Sequence, residues 1–199
     1  MSNVILTDVD GVLLNWQAAF DTWMMREHGK FAIGNERAYK QGVRFDMMEP
    51  EIKKYIKAFN SSANIGFLPP LFDAVKGVKR LYEEHGYKLL VITSLSLNPF
   101  AQKLRTQNLE NIFGKEVFED FVYLDTGADK DKVLDCYAKL YPNAYWIEDK
   151  VANAIDGRAV GLRSLLIKHI HIKEEDACGI PIMPNWKAIV EEIIDPVYY

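Results

Sequence analysis

The sequence predicts an α/β protein built on a parallel sheet, and three observations lead to this prediction. Three apolar runs of strand length end in polar residues, at Asp8, at Thr93 and at Glu148. Segments with helical periodicity lie between these runs, and strands that alternate with helices favour parallel βαβ units. In an open α/β sheet the carboxyl ends of the strands converge on a ligand crevice, so these polar strand ends are expected to meet.

The first strand carries the most informative pattern in the chain. The apolar run from Val4 to Leu6 leads to Asp8 and Asp10, which are followed by Gly11. Two carboxylates crowded at a strand end repel each other unless a cation neutralises them, and oxygen ligands suit Mg²⁺. Glycine lets the backbone turn sharply after the second aspartate. The alternative is an Asp-rich turn without chemistry, because Asp-Gly is also a common turn signal.

The other two strand ends supply groups that suit phosphate chemistry. Thr93 and Ser94 follow a run of aliphatic residues. A hydroxyl at this position, together with the free N–H groups of the next turn, can hold a phosphoryl oxygen without adding charge. Glu148 and Asp149 form an acidic pair after another apolar run. Taken singly these are weak signals, since Thr-Ser is also an ordinary strand exit.

The hexapeptide D-V-D-G-V-L, which begins at Asp8, resembles motif I of the haloacid dehalogenase superfamily. The resemblance implies a Rossmann-like parallel sheet core with helices on both faces. It also implies a phosphatase in which Asp8 is the nucleophile and Asp10 the general acid/base. The family has three further motifs in a fixed order, and Thr93, Lys130 and Asp149 match them.

Two lysines compete for the third motif. In the family the lysine lies about one turn ahead of the apolar pair that begins the buried face of a helix, here Val133 and Leu134. The resemblance therefore favours Lys130, with Lys132 as the fallback. This lysine would pair with the nucleophile and with the transferred phosphoryl group. The alternative is a lysine at a solvated helix N-terminus.

The resemblance also implies the cofactor, Mg²⁺. Its expected ligands are Asp8, the main-chain carbonyl of Asp10, and Asp149. The acidic pair is Glu-Asp here, whereas the family more often has Gly-Asp or Asp-Asp. We therefore assign the direct ligand to Asp149, and we leave open whether Glu148 or Asn153 takes part in the metal shell.

A segment is inserted between the first two strands. The strand ends at Asp10 and Thr93 are 83 positions apart, whereas a βαβ unit needs about 30 residues. The resemblance implies a small helical cap at this point, which closes over the site. Four segments carry helical periodicity: Trp16–His28, Glu51–Phe59, Phe72–Glu84 and Trp186–Ile194. The predicted domains are a catalytic core, 1–14 and 69–199, and a cap, 15–68.

The cap is expected to select the leaving group. A second, looser resemblance, to the 5′(3′)-deoxyribonucleotidase branch, rests on the aromatic helix after motif I, on Ile92-Thr93-Ser94, on residues 66–75 and on the tail from Trp186. That branch removes phosphate from nucleoside monophosphates and stacks the base on aromatic residues of the cap. The candidate substrate-binding residues are Ser94, Phe20, Arg44, Phe45 and Phe67. The alternative is that these aromatic residues belong to the core.

Two histidines could in principle form a second metal site. His169 and His171 would share one face of a strand. A strand that runs out into solvent is the simpler interpretation, so no metal is assigned to them.

Composition limits the classes of partner. The net charge is −4, which argues against binding a nucleic-acid polymer, because such a surface needs a basic patch. Cys136 and Cys178 form no metal or disulfide pattern, which favours a reducing cytoplasm. No apolar run approaches the roughly 20 residues of a membrane span. The expected partner is a small phosphorylated substrate, and a homodimer is left open.

Two alternative functions are kept. The same core could act on a sugar phosphate or another small metabolite, as a phosphatase or a phosphotransferase. Dehalogenation is disfavoured, because that chemistry does not need the second aspartate, Asp10. A non-catalytic binding protein with this fold is the other alternative, and the intact set of motif residues argues against it.

Overall fold

The computed structural model of the protein describes residues 3–35 and 38–196, and this part of the chain contains one six-stranded sheet. Its strands are β1 (Val4–Thr7), β2 (Lys88–Ser94), β3 (Phe118–Leu124), β4 (Tyr145–Glu148), β5 (Arg163–Ile167) and β6 (Ile182–Met183). The spatial order is β3-β2-β1-β4-β5-β6, and every pair is parallel. The predicted α/β class with a parallel sheet is confirmed.

Helices cover both faces of the sheet. They are α1 (Trp16–His28), α2 (Gln41–Phe45), α3 (Glu49–Asn60), α4 (Ala74–His85), α5 (Pro99–Phe113), α6 (Asp131–Leu140), α7 (Val151–Ala159) and α8 (Trp186–Ile194). Successive residues of a strand point to opposite faces. Ile5 of β1 accordingly packs in the cluster that includes α4 and α8, whereas Leu6 packs with α6. None of the helices in the described ranges is both long and apolar enough to cross a membrane.

The order of the strands fixes where a ligand crevice forms. β1 and β4 are neighbours at the centre, and the chain continues to β2 and β3 on one side but to β5 and β6 on the other. Ligands of open α/β sheets bind at such a switch point, beyond the carboxyl ends of the strands. Thr7 pairs with Ile147, and the Asp8 amide donates to the Ile147 carbonyl at 2.9 Å. Asp8 and the acidic pair after β4 are therefore neighbours.

Helices α1 to α3 lie between β1 and β2, within the segment predicted as a cap. Their aromatic residues pack around Phe20, which is fully buried. Its ring centroid lies 4.6 Å from that of Trp16, 5.5 Å from Phe59 and 5.7 Å from Phe45. The same apolar cluster continues into the core beneath the sheet. The cap is therefore held on the core by apolar packing.

Helix α8 is fastened to the turn after β1. Trp186 is fully buried, and its indole Nε1 donates to the Val12 carbonyl at 2.8 Å. The Asp73 carboxylate accepts from the backbone amides of Trp186 and Lys187, both at 3.2 Å. Asp73 itself has a positive φ of 58°, so α4 begins one residue later, at Ala74, and not at Phe72 as the periodicity predicts. Trp186, which is distant in sequence, thus stabilises the motif I turn.

Candidate active site

Buried charged side chains form the floor of the crevice. Nζ of Lys130, the residue before α6, lies 2.8 Å from Oδ2 of Asp8 and 3.1 Å from Oε2 of Glu148. The other oxygen of Glu148 accepts from Nδ2 of Asn153 at 2.8 Å. These four residues are buried, whereas Lys132 is exposed. The structure therefore brings Lys130 into the site and leaves the fallback lysine outside it.

Two polar atoms of the floor have no hydrogen-bond partner in the described part of the chain. They are Oδ1 of Asp8 and Oγ1 of Thr93, both buried. Both residues line one cavity. A buried polar atom left unsatisfied costs about 1–3 kcal/mol, so it calls for a functional explanation. A carboxylate oxygen and a hydroxyl on two residues that line the same cavity suit attack on an electrophile and donation to one of its oxygens.

The acidic cluster has the donor set of a divalent-metal site. One oxygen from each of Asp8, Glu148 and Asp149 lies within 4.8 Å of the others. With Asp10 the site holds four carboxylates, which face one lysine and one arginine. When all four are ionised, two negative charges remain uncompensated, which matches the charge of one Mg²⁺. Carboxylate oxygens are ligands that Mg²⁺ prefers, and one Asp8 oxygen is unpartnered, so the residues present fit the ion.

Crowding of like charges changes the proton affinity of the cluster. Burial, followed by the negative charge of Asp8, raises the pKa of Glu148 to about 8. Burial and then the Glu148 charge raise the pKa of Asp149 well above its ordinary value. Burial alone would lower the pKa of Lys130, but the Asp8 and Glu148 carboxylates outweigh it and raise this pKa. The lysine therefore stays charged, whereas Glu148 and Asp149 bind protons more readily than ordinary carboxylates do.

Asp10 has a partner that the sequence analysis missed. Nη1 of Arg105, on α5, lies 2.5 Å from Oδ1 of Asp10, and the arginine side chain is fully buried. Burial raises the pKa of Asp10, and Arg105 offsets only part of that rise. A sequence signal exists, since Arg105 falls one helical turn after Ala101 on the buried face of α5. That pattern shows that the arginine is buried but not which carboxylate it meets.

Above this floor lies a cavity of about 840 Å³ between core and cap. This volume is within the usual range for small-molecule sites, roughly 300–1,000 Å³. The cap lines it with flat, amide and basic side chains. They include Trp16, Gln17, Tyr39, Lys40, Gln41 and Arg44. The cavity can therefore take a leaving group much larger than the phosphate itself.

The predicted stacking residues do not line this cavity. Phe20 and Phe45 are buried in the aromatic cluster of the cap. Phe67 is 80% exposed and lines a smaller, separate pocket. The placement contradicts a stacking role for all three, because no face of these rings is presented to the cavity. Phe20 and Phe45 are core residues, as in the alternative given above, whereas Phe67 is a surface residue.

Two further candidate residues do line the cavity, but their polar groups are engaged. Nη2 of Arg44 lies 2.7 Å from Oδ2 of Asp21. Oγ of Ser94 donates to the Ala128 carbonyl at 2.9 Å, which ties the end of β2 to the loop before α6. Direct contact of either residue with a substrate remains a prediction.

The histidines were placed wrongly by the sequence analysis. β5 ends at Ile167, so His169 and His171 lie in the following loop and not on a strand that leaves for solvent. Both line the cavity. Nε2 of His169 lies 2.7 Å from the Gly11 carbonyl oxygen. Burial, followed by the neighbouring His169, lowers the pKa of His171.

Comparison of the sequence with known proteins gives a distant relative. No protein-family model matches the chain. An uncharacterized 32.4 kDa protein of Enterobacteria phage T4, from the Gp30-rIII intergenic region, is 27% identical over 154 residues. The match covers 75% of this chain and 54% of the phage protein. The chain thus spans about half the length of the curated relative it matches.

Comparison of the structure with solved structures is more informative. The haloacid dehalogenase-like hydrolase SP0104 from Streptococcus pneumoniae superposes with a TM-score of 0.68 over 96% of this chain and 98% of that chain, at 14% identity. The chain has the haloacid dehalogenase-like fold. D,D-heptose 1.7-bisphosphate phosphatase from B. bronchiseptica, complexed with magnesium and phosphate, superposes with a TM-score of 0.58. The superposition covers 99% of this chain and 100% of the phosphatase chain, at 12% identity. L-2-haloacid dehalogenase is also among the neighbours, so the fold alone leaves the reaction open.

Proposed function

We propose that this protein is a Mg²⁺-dependent phosphatase that hydrolyses a small phosphate monoester through an aspartyl-phosphate intermediate. The observation that carries the proposal is the unpartnered Oδ1 of Asp8, which is buried at the floor of the cavity beside Lys130. Thr93 adds an unpartnered hydroxyl in the same cavity. The solved neighbours include a phosphatase with this fold that was crystallised with magnesium and phosphate, which supports the proposal.

The chemistry divides into two displacements at phosphorus. A carboxylate oxygen of Asp8 attacks the phosphorus, and the bond from phosphorus to the leaving oxygen breaks. Asp10 gives its proton to the departing alkoxide. In the second step Asp10, now ionised, takes a proton from water as that water attacks phosphorus, and the Asp8 carboxylate is released with inorganic phosphate.

The remaining groups stabilise charge and hold positions. A bound Mg²⁺ would supply positive charge between the nucleophile and the phosphate. Asp8, Asp149 and the Asp10 carbonyl are the proposed ligands, with Glu148 close enough to join them. Lys130 and Thr93 would bind phosphoryl oxygens, where charge stabilisation is usually the largest catalytic contribution. The Asp8 and Glu148 carboxylates hold Lys130 in its charged state, so it offers a positive charge to the phosphoryl oxygens.

For the leaving group we propose a nucleoside, so that the substrate is a nucleoside or deoxynucleoside monophosphate. The volume of the cavity and the nature of its walls support this choice. Tyr39 offers a flat ring that is half exposed, and Gln17 and Gln41 offer amide groups that pair with each other at 3.0 Å. Flat rings and amides suit a planar heterocycle with hydrogen-bonding edges. A sugar phosphate is the second candidate, because these polar side chains also suit hydroxyl groups.

Phosphate release from a panel of nucleoside monophosphates and sugar phosphates tests the reaction. We expect release that requires Mg²⁺, is abolished by EDTA and is not restored by Ca²⁺, whose larger and looser shell misplaces the phosphate. Asp8→Asn should lose activity and keep its fold, since the amide is nearly isosteric but is not a nucleophile. Asp135→Asn is the matched control, because Asp135 is exposed and pairs with Lys139 away from the cavity. Full activity in EDTA, or substantial turnover by Asp8→Asn, would refute the mechanism.

A further inference from the structure

The loop after β5 contacts three parts of the molecule that line the cavity. It carries His169 and His171, which the proposed chemistry does not use. One histidine contacts the turn after β1, and the other contacts the loop after β4 and the cap. The turn after β1 and the loop after β4 carry the proposed metal ligands.

The strongest of these contacts is a hydrogen bond to the backbone of the motif I turn. Nε2 of His169 lies 2.7 Å from the carbonyl oxygen of Gly11. A carbonyl oxygen can only accept, so Nε2 carries the proton and donates it. Gly11 directly follows Asp10 and has a φ of 79°. Its main chain would be free to move because glycine has no side chain to restrict it.

The carboxylate of Asp149 occupies the space beside this glycine. A Cβ built on Gly11 would overlap the Asp149 side chain, so the two residues are in direct contact. The His169 hydrogen bond therefore fixes the piece of backbone against which a proposed metal ligand packs. A metal binds these carboxylates in their ionised form, and in that form they repel one another until the cation is in place. That repulsion pushes the two loops apart, and the hydrogen bond opposes it.

His171 extends the connection to the cap. Its ring lies 5.6 Å from the His169 ring at an interplanar angle of 17°, and it interacts with the Asp149 backbone. On the cap side the Tyr39 ring lies 4.8 Å from His171. An unbroken series of contacts therefore runs from the motif I turn, through the two histidines, to the cap.

We propose that His169 is a positioning residue for the divalent metal, and that it acts by holding the Asp10–Gly11 turn against Asp149. This inference rests on the metal site of the proposed function. Groups that orient metal ligands, although they do not touch the metal, typically change metal affinity about 10–100-fold when they are removed. His169 acts through the Gly11 carbonyl and is neither a ligand nor a catalytic residue.

The test is direct binding of Mn²⁺ to the full chain, measured by the electron paramagnetic resonance signal of the free ion. Mn²⁺ takes the same oxygen ligands as Mg²⁺. We expect His169→Ala to weaken binding about 10–100-fold. His169→Gln should bind nearly as well as the wild type, because its amide nitrogen reaches about as far as Nε2. The matched control is His85→Ala in the last turn of α4, which should leave binding unchanged.

His169→Asn guards against a folding defect in the alanine variant. It keeps a polar side chain, but its amide falls short of the Gly11 carbonyl, so it should weaken binding as His169→Ala does. Equal affinities for the wild type, the alanine variant and the asparagine variant would overturn the proposal. So would a glutamine variant as weak as the asparagine variant, because ring packing would then be the cause. If the wild type itself binds no Mn²⁺, the metal site of the proposed function fails, and this inference fails with it.

Discussion

At Lys130 one ammonium group is shared by two carboxylates, Asp8 and Glu148, and all three side chains are nearly excluded from water. Removing one partner from a buried ion pair leaves an uncompensated charge, which typically costs about 3–5 kcal/mol. Here the loss would leave the acidic cluster without its central cation. The lysine therefore has a structural role in addition to its proposed contact with the phosphoryl group.

We predict that Lys130→Met lowers the free energy of unfolding by about 3–5 kcal/mol at about pH 8 without metal, measured by urea denaturation. The loss should be smaller at about pH 5.5, because the carboxylates can then take up protons in place of the lost cation. Activity should also be lost. Lys132→Met, two residues further on and exposed, should change stability by less than about 0.5 kcal/mol. Equal effects of the two variants would contradict the assignment of Lys130.

Within the cap, burial separates two kinds of aromatic residue. Phe20 packs at the centre of the aromatic cluster, and it is fully buried. Tyr39 precedes α2, is half exposed and lines the cavity. Burial, followed by the charge of Asp149, raises the pKa of Tyr39, which shows that its hydroxyl group lies in the field of the acidic cluster. We therefore propose Tyr39, and not Phe20, as the stacking residue of the cap.

We predict that Tyr39→Leu lowers kcat/KM for a deoxynucleoside monophosphate by about fivefold to a hundredfold, the value of one base stack. Its effect on 2-deoxyribose 5-phosphate, which lacks the base, should be much smaller. Phe20→Ala should instead destabilise the fold by about 3–5 kcal/mol, as expected of a buried phenylalanine. It should leave the ratio of the kcat/KM values for the two substrates unchanged. This assignment would be reversed if Phe20→Ala changed the ratio of the two kcat/KM values and Tyr39→Leu did not. A wild type that prefers sugar phosphates would refute the nucleotide proposal and leave the phosphatase proposal intact.

For the molecule as a whole, the charge imbalance of the site links stability to pH. The ordinary pKa of a glutamate is 4.5, and that of Glu148 in the fold is raised to about 8. Between these values the folded protein holds a proton that the unfolded chain releases. The metal-free protein therefore loses stability as pH rises from about 4.5 towards 8, and Asp149 acts in the same direction. The proposed divalent cation would reverse this effect, because it would replace the protons.

We predict that Mg²⁺ raises the thermal midpoint more at about pH 8 than at about pH 5.5, when each is compared with the protein in EDTA. At the lower pH the ion must displace protons from the carboxylates, which weakens its binding. The measurement is thermal unfolding followed by circular dichroism at both pH values. Asp8→Asn, which removes one charge and one proposed ligand, should show a smaller shift at about pH 8. If Mg²⁺ shifted the thermal midpoint of the wild type equally at the two pH values, the proposed charge imbalance of the site would be contradicted.

The sequence by itself determined the strand ends and the residues on them. Asp8, Thr93 and Asp149 each follow an apolar run, and a parallel sheet brings such ends together whatever the details of packing. Lys130 required the family resemblance as well, because the local pattern fitted Lys132 equally. The predicted bounds of α1 and α8 match the structure, in which the side chains of Asn15 and Asn185 accept from backbone amides at the starts of these helices.

Only the tertiary structure decided which distant groups meet. Arg105 reaches Asp10 across 95 residues, and His169 reaches Gly11 across 158. Helical periodicity tells which side of a helix is buried but not what packs against it, so it placed Phe20 on an apolar face without showing that its ring meets Phe45 and not the cavity. The pairings depend on how the helices and loops pack around the sheet, and no local pattern in the chain encodes that packing.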